Sequence, residues 1–157
     1  MAYLLIIIFL NSNSYGENNR YFEFDKGIIA LMYHRFDEHK YPSTNIQMDI
    51  FKEQINIIEN LKINFLHPKN FNEEISKPNE EKKILLTIDD GFQSFYDNAW
   101  PILKKKNIPF ILFISTAYVG KSGYMNWEQI KEIEKSGLGI IGNHSHTHEY
   151  LVDKTNN

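Results

Sequence analysis

Residues Ile84-Leu-Leu-Thr-Ile88 form a near-continuous apolar run that stops abruptly at Asp89-Asp90-Gly91. A strand with one wet face alternates apolar and polar side chains. An unbroken run of strand length instead suits a parallel strand covered on both faces. Gly27–Tyr33, Phe110–Ile114 and Leu138–Ile141 are further runs of this kind. Between them the spacing turns helical. Phe51, Ile55, Ile58 and Leu61 recur at intervals of three and four after Met48, and a further helical turn is expected at Phe71–Ile75. Pro101 is tolerated only in the first turn of a helix over Trp100–Lys106, and Pro109 forbids its continuation. Asn126 with Gln129 three residues on reads as a capping box, and Gly137 as the left-handed stop of the helix that follows. Strands alternating with helices at this spacing predict parallel βαβ units, an α/β fold.

The 157 residues suit one domain with a core of ordinary size. The net charge of −3 comes with no basic stripe. Lys104-Lys105-Lys106 falls where a helix ends, and cations there oppose the helix dipole, so nucleic acid is not an expected partner. Cysteine is absent, which leaves His, Asp and Glu to hold any metal. The apolar run Met1–Leu10 is too short to span a bilayer. With the small polar residues after it, it predicts a signal peptide over 1–16 and an exported chain, although its start carries no Lys or Arg.

In parallel α/β folds, sites gather at the C-terminal ends of strands. Asp89 and Asp90 close one strand and His144 follows another, so both segments reach the same face of the sheet. His144 and His148 share a face if their segment takes one helical turn, and both can then reach one ion. Alone, a polar surface loop explains them equally well. His146, between them, points elsewhere and is expected to be solvated or to support the ligands. Asp-Asp-Gly alone is an ordinary turn. At a strand end, however, Gly91 allows a bend that brings two carboxylates together. One acid can bind a metal while the other stands beside the attacking water. Two histidines and one carboxylate leave an open position, as in a catalytic zinc site. Such a site hydrolyses an amide or ester without a nucleophilic Ser or Cys.

Thr87-Ile88-Asp89-Asp90-Gly91 resembles the Thr-Phe-Asp-Asp-Gly motif of the polysaccharide deacetylases, the NodB-homology group. His144-Ser145-His146-Thr147-His148 is similar to their second motif, His-Ser/Thr-x-x-His. Asn98-Ala-Trp-Pro, Ile108-Pro-Phe, Asn126-Trp and Gly139-Ile-Ile-Gly-Asn-His match in order and spacing, so the resemblance runs from about Ile28 onward. It implies the N-terminal part of a distorted (β/α) barrel, with residues 17–157 a partial deacetylase domain. It also implies removal of N-acetyl or O-acetyl groups from a polysaccharide. Carried over, Asp89 matches the catalytic base, and Asp90, His144 and His148 match the ligands of a divalent metal, zinc by default. Tyr33-His34-Arg35 closes the first strand and faces the same mouth. A similar Tyr-His segment lies beside the pocket in several relatives, but an ordinary loop residue explains His34 equally well. His34 therefore stays outside the site set.

The sequence ends at Asn157, nine residues after His148. Relatives continue with an Arg that orients the base and a His that acts as general acid. His39 and His67 fall in the wrong part of the chain to replace that His. The expectation is a fragment of a longer deacetylase, inactive or nearly so alone, whose last strand presents an uncovered edge. The alternative is a non-catalytic metal- or glycan-binding remnant. A non-haem iron site shares the two-His, one-carboxylate set, but such sites sit mostly on all-β folds.

Overall fold

A computed structural model describes residues 27–76 and 81–149. The expected leader over 1–16 lies outside the described residues. Strand β1 (Gly27–Tyr33) runs into the short β2 (Arg35–Phe36), which pairs with β3 (Asn45–Ile46). Helix α1 (Met48–Asn60), strand β4 (Asn64–Phe65) and helix α2 (Phe71–Ser76) precede the long strand β5 (Lys82–Ile88). Then come helix α3 (Trp100–Lys106), strand β6 (Phe110–Ile114), helix α4 (Trp127–Lys135) and strand β7 (Gly139–Asn143). The main sheet is parallel throughout, in the order β1-β5-β6-β7. Strand β1 pairs along all of β5, so β4 and β6 share the other edge of β5, at its N-terminal and C-terminal halves.

One face of this sheet carries the core. Leu31 and Tyr33, then Ile84, Leu86 and Ile88, then Phe110, Leu112 and Ile114 face helices that contribute Phe51, Ile55, Trp100, Leu103, Ile130 and Ile133. The opposite face is apolar as well: Ile28, Ala30 and Met32 on β1, Leu85 on β5, Ile111 and Phe113 on β6. Leu85 is buried, whereas Met32 is 55% exposed. The prediction of a strand covered on both faces therefore holds for β5 but not for β1. Among the described residues β7 pairs only with β6, so the sheet is open at that edge and reads as part of a barrel.

The helix boundaries follow their local signals. Asn126 and Gln129 form both bonds of the capping box, and Gly137, at φ 75°, ends the turn after α4. Gln47 gives α1 no side-chain cap, but the Asp37 carboxylate accepts from Met48 N–H at 2.8 Å. Helix α3 departs from expectation. A π-helical turn, Phe95–Ala99, precedes it, with Trp100 N–H donating to Phe95 C=O. The Pro101 ring would collide with the carbonyl four residues back, so the ladder widens by one residue just before it. Helical structure thus begins at Gln93, seven residues before Trp100.

Candidate metal centre

Strand β5 delivers the acids. Asp89 N–H still donates to Tyr33 C=O at 2.8 Å, continuing the pairing with β1. Asp90 and Gly91 then adopt left-handed backbone angles, φ 73° and 76°, and turn the chain out of the sheet. A Cβ on Gly91 would lie 2.9 Å from Ile114 Cδ1, so this position needs glycine for space as well as for conformation. Asp90 holds the same region with a side chain, a conformation that Asp tolerates better than most residues.

Strand β7 delivers the histidines, but not through a helical turn. His144 N–H donates to Ile114 C=O at 3.0 Å, and Ser145 and His148 take φ of 65° and 55°. The expected helical turn is therefore corrected to a loop. Its N–H groups are engaged locally: Asn143 Oδ1 accepts from Ser145 N–H at 2.6 Å, and Ser145 Oγ from His148 N–H at 3.0 Å. Its carbonyls are engaged across the sheet, with Thr116 N–H donating to Ser145 C=O and Ala117 N–H to His146 C=O. Such side-chain bonds compete with helical ones.

The result joins the predicted ligands. His144 Nε2 and His148 Nε2 are 3.0 Å apart, and Asp90 Oδ1 lies 3.3 Å and 3.4 Å from them. Ligands 2.0–2.1 Å from a tetrahedral ion stand about 3.3 Å from one another, so this triangle fits a divalent cation. Asp90 and His148 line a cavity together with Ser115, Tyr118 and Tyr124. Asp89 sits deeper, 7% exposed. Burial pushes its pKa above the usual carboxylate range, and His34 and His144 partly oppose that shift. Its Oδ1 is buried and has no hydrogen-bond partner among the described residues.

His34 is the residue that sequence reasoning left out. Its Nε2 lies 3.9 Å from Asp89 Oδ2, on the inner side of the site. The available signal was its position at the end of β1, since Tyr33 pairs with Ile88 and the two strands end together. His146 stays out of the ligand triangle, and its Nδ1 is 2.8 Å from Thr116 Oγ1. His67 bonds Gly137 C=O at 2.9 Å and has no part in the site.

Comparisons with known proteins bear on the family and the fold. The family model for polysaccharide deacetylase matches residues 76–157. The chain is 28% identical to the poly-beta-1,6-N-acetyl-D-glucosamine N-deacetylase of Staphylococcus aureus, over 78% of this chain and 49% of that protein. Among solved structures, IcaB from Ammonifex degensii is similar at TM-score 0.68 and 33% identity, over 79% of this chain and 54% of that one. The Streptococcus pyogenes deacetylase PplD, solved with acetate, is similar at TM-score 0.71 and 25% identity, over 82% and 60%. The chain spans about half the length of the curated relatives it matches.

Proposed function

The chain belongs to the polysaccharide deacetylase family, and from that premise we propose that it is the metal-binding portion of a hydrolase that removes N-acetyl groups from a β-linked N-acetylglucosamine polymer. The observation that carries this reading is the Asp90–His144–His148 triangle, with Asp89 and His34 set beside it. The named activity of the Staphylococcus aureus relative supports the substrate class. A divalent ion held by the triangle, zinc by default for this ligand set, supplies Lewis acidity to the acetyl carbonyl and lowers the pKa of water to about 7.

The chain's own residues do the rest. Asp89 takes the proton of the attacking water as that oxygen bonds the acetyl carbon. Burial suits it to this work, because a carboxylate with a raised pKa is a stronger base. As the carbon–nitrogen bond breaks, the amine must gain a proton. His34, whose Nε2 lies 3.9 Å from Asp89 Oδ2, is the residue we assign to donate it. Acetate and a free amino sugar leave. His34 thus offers the general acid that the sequence alone assigned to no residue.

A second reading has its own observation. Asp89 Oδ1, with no hydrogen-bond partner among the described residues, favours a remnant that binds metal or glycan without turnover, because an unoriented base is a poor one. The half-length match to relatives and the open apolar sheet face support further barrel elements completing the site in a longer protein. Export is proposed with the substrate, since such polymers lie outside the cytoplasm. Finding the expressed chain only in the cytoplasm would count against it.

One experiment separates these readings: zinc titration of the whole chain, with free-amine release measured from N-acetylglucosamine oligomers. Release that Asp89→Asn abolishes supports the hydrolase. One bound zinc without release supports the remnant only if a longer form carrying further barrel elements also releases no amine. Absence of zinc binding overturns the hydrolase and the metal-binding remnant.

A further inference from the structure

Five side chains from three separate segments form a continuous column along the wall of the metal centre. The Arg35 guanidinium lies between two rings, its Cζ 3.9 Å from the Tyr41 centroid and 3.4 Å from the Phe92 centroid. Phe92 continues onto Tyr124 at 4.9 Å, and Tyr124 stacks on Tyr118 at 5.0 Å with the rings 19° apart. The Tyr118 hydroxyl then donates to Thr147 C=O at 3.3 Å. We propose that this column is the positioning device of the metal centre, with Arg35 as the positioning residue that locks Asp90 in its ligand conformation before the ion arrives.

The order of residues along the chain makes the case. Arg35 follows His34, Phe92 follows Asp90 by two residues, and Thr147 precedes His148. The column therefore touches a neighbour of each functional segment. Asp90 holds a left-handed backbone, φ 73°, which Asp tolerates better than most side chains and which its surroundings help to fix. Phe92 is where that determination is densest. Arg35 and Tyr124 both pack on its ring, while Gln93 N–H donates to Gly123 C=O at 2.9 Å and Met125 N–H to Gly91 C=O at 2.9 Å.

Arg35 is in turn fixed in its own plane. Its Nη1 donates to Glu38 Oε2 at 2.7 Å, and Glu38 Oε1 accepts from Ser94 Oγ at 2.6 Å. A planar guanidinium can stack on two rings and donate at its edge at once, which an ammonium cannot do. The charge alone is thus not what the position requires.

The inference rests on the metal-binding reading, and its test keeps the two apart. Cobalt(II) is titrated into the whole chain, reading affinity and the visible d–d spectrum, with circular dichroism to check folding. Groups that support metal ligands typically change affinity about 10–100-fold when removed. Arg35→Lys and Tyr124→Leu should each weaken cobalt binding about tenfold or more and alter the spectrum, while Tyr124→Phe, which keeps the ring, stays within about twofold. Tyr41→Leu removes one exposed face of the sandwich, leaves the core intact, and should weaken binding in the same direction by about threefold. A column that merely stabilises the fold would lower the melting temperature and leave affinity and spectrum of the folded protein unchanged. Wild-type cobalt binding in folded Arg35→Lys and Tyr124→Leu overturns the proposal. If those two do not fold, unchanged binding by Tyr41→Leu overturns it instead. A wild-type chain that binds no cobalt overturns the metal reading and this inference together.

Discussion

Replacing Gly91 by alanine tests whether the turn after β5 is set by backbone conformation, by space, or by both. Gly91 has φ 76°, and a left-handed backbone costs an L-residue about 1–2 kcal/mol. Gly137 has nearly the same φ, 75°, with nothing within 4 Å of an added Cβ, so Gly137→Ala isolates that conformational cost. At Gly91 the new methyl would also meet Ile114 Cδ1 at 2.9 Å, and Ile114 is 2% exposed with little room to yield. Overpacking of this kind costs about 1–3 kcal/mol, so Gly91→Ala should lose about 2–5 kcal/mol against about 1–2 for Gly137→Ala. Urea denaturation of both variants, with zinc chelated, gives the difference as a shift in midpoint at constant slope. A parallel zinc titration should find Gly137→Ala unchanged and Gly91→Ala weakened, because the same methyl displaces Asp90. Equal destabilisation of the two variants, or intact zinc affinity in Gly91→Ala, would refute the argument from close approach.

Three other outcomes follow from the geometry. Tyr33 is buried, its hydroxyl donates to Gln54 Oε1 at 2.7 Å, and burial pushes its pKa up to about 12. Because the folded pKa is raised, that stability is present below the unfolded value near 10 and is lost as pH rises through about 12, roughly 3 kcal/mol in all; denaturation from pH 8 to 12 should show a flatter curve for Tyr33→Phe, and parallel curves would exclude burial as the cause. Asn126→Ala removes one half of the capping box of α4 and should cost about 1 kcal/mol by urea denaturation. Asp89→Asn removes a charge that burial disfavours, so in metal-free protein its melting temperature should exceed that of the wild type. Its margin should widen as pH rises above the usual carboxylate range, since the raised pKa favours the protonated form in the folded state; an unchanged margin from pH 4 to 7 counts against the desolvation argument.

Much of this fold was legible before any coordinates. Ile84–Ile88 and Phe110–Ile114 announce buried parallel strands, and Pro109, Asn126 and Gly137 punctuate the helices where the structure has them. These signals act over a few residues, so the local chain carries them. The π-helical turn before Pro101 was not foreseen, because a proline forbids one hydrogen bond without saying how the preceding ladder will rearrange. The helical turn expected at His144–His148 failed for a related reason. Spacing of four suits a helix, but Thr116 and Ala117, far off in sequence, claim the loop's carbonyls.

The candidate site divides along the same line. By itself the sequence determined the residue types and their arrival at one end of a parallel sheet: Asp89 and Asp90 after one strand, His144 and His148 after another. Residue chemistry and strand polarity suffice for that. Only the tertiary structure decided which groups meet. It closed Asp90, His144 and His148 into a triangle with 3.0–3.4 Å sides, set His34 3.9 Å from Asp89, and stacked Arg35 between Tyr41 and Phe92. Most of those contacts join segments tens of residues apart, and their distances depend on strand register and on left-handed turns at Asp90, Gly91, Ser145 and His148. Neither register nor a turn's hand is written in any one of the segments that the contacts join.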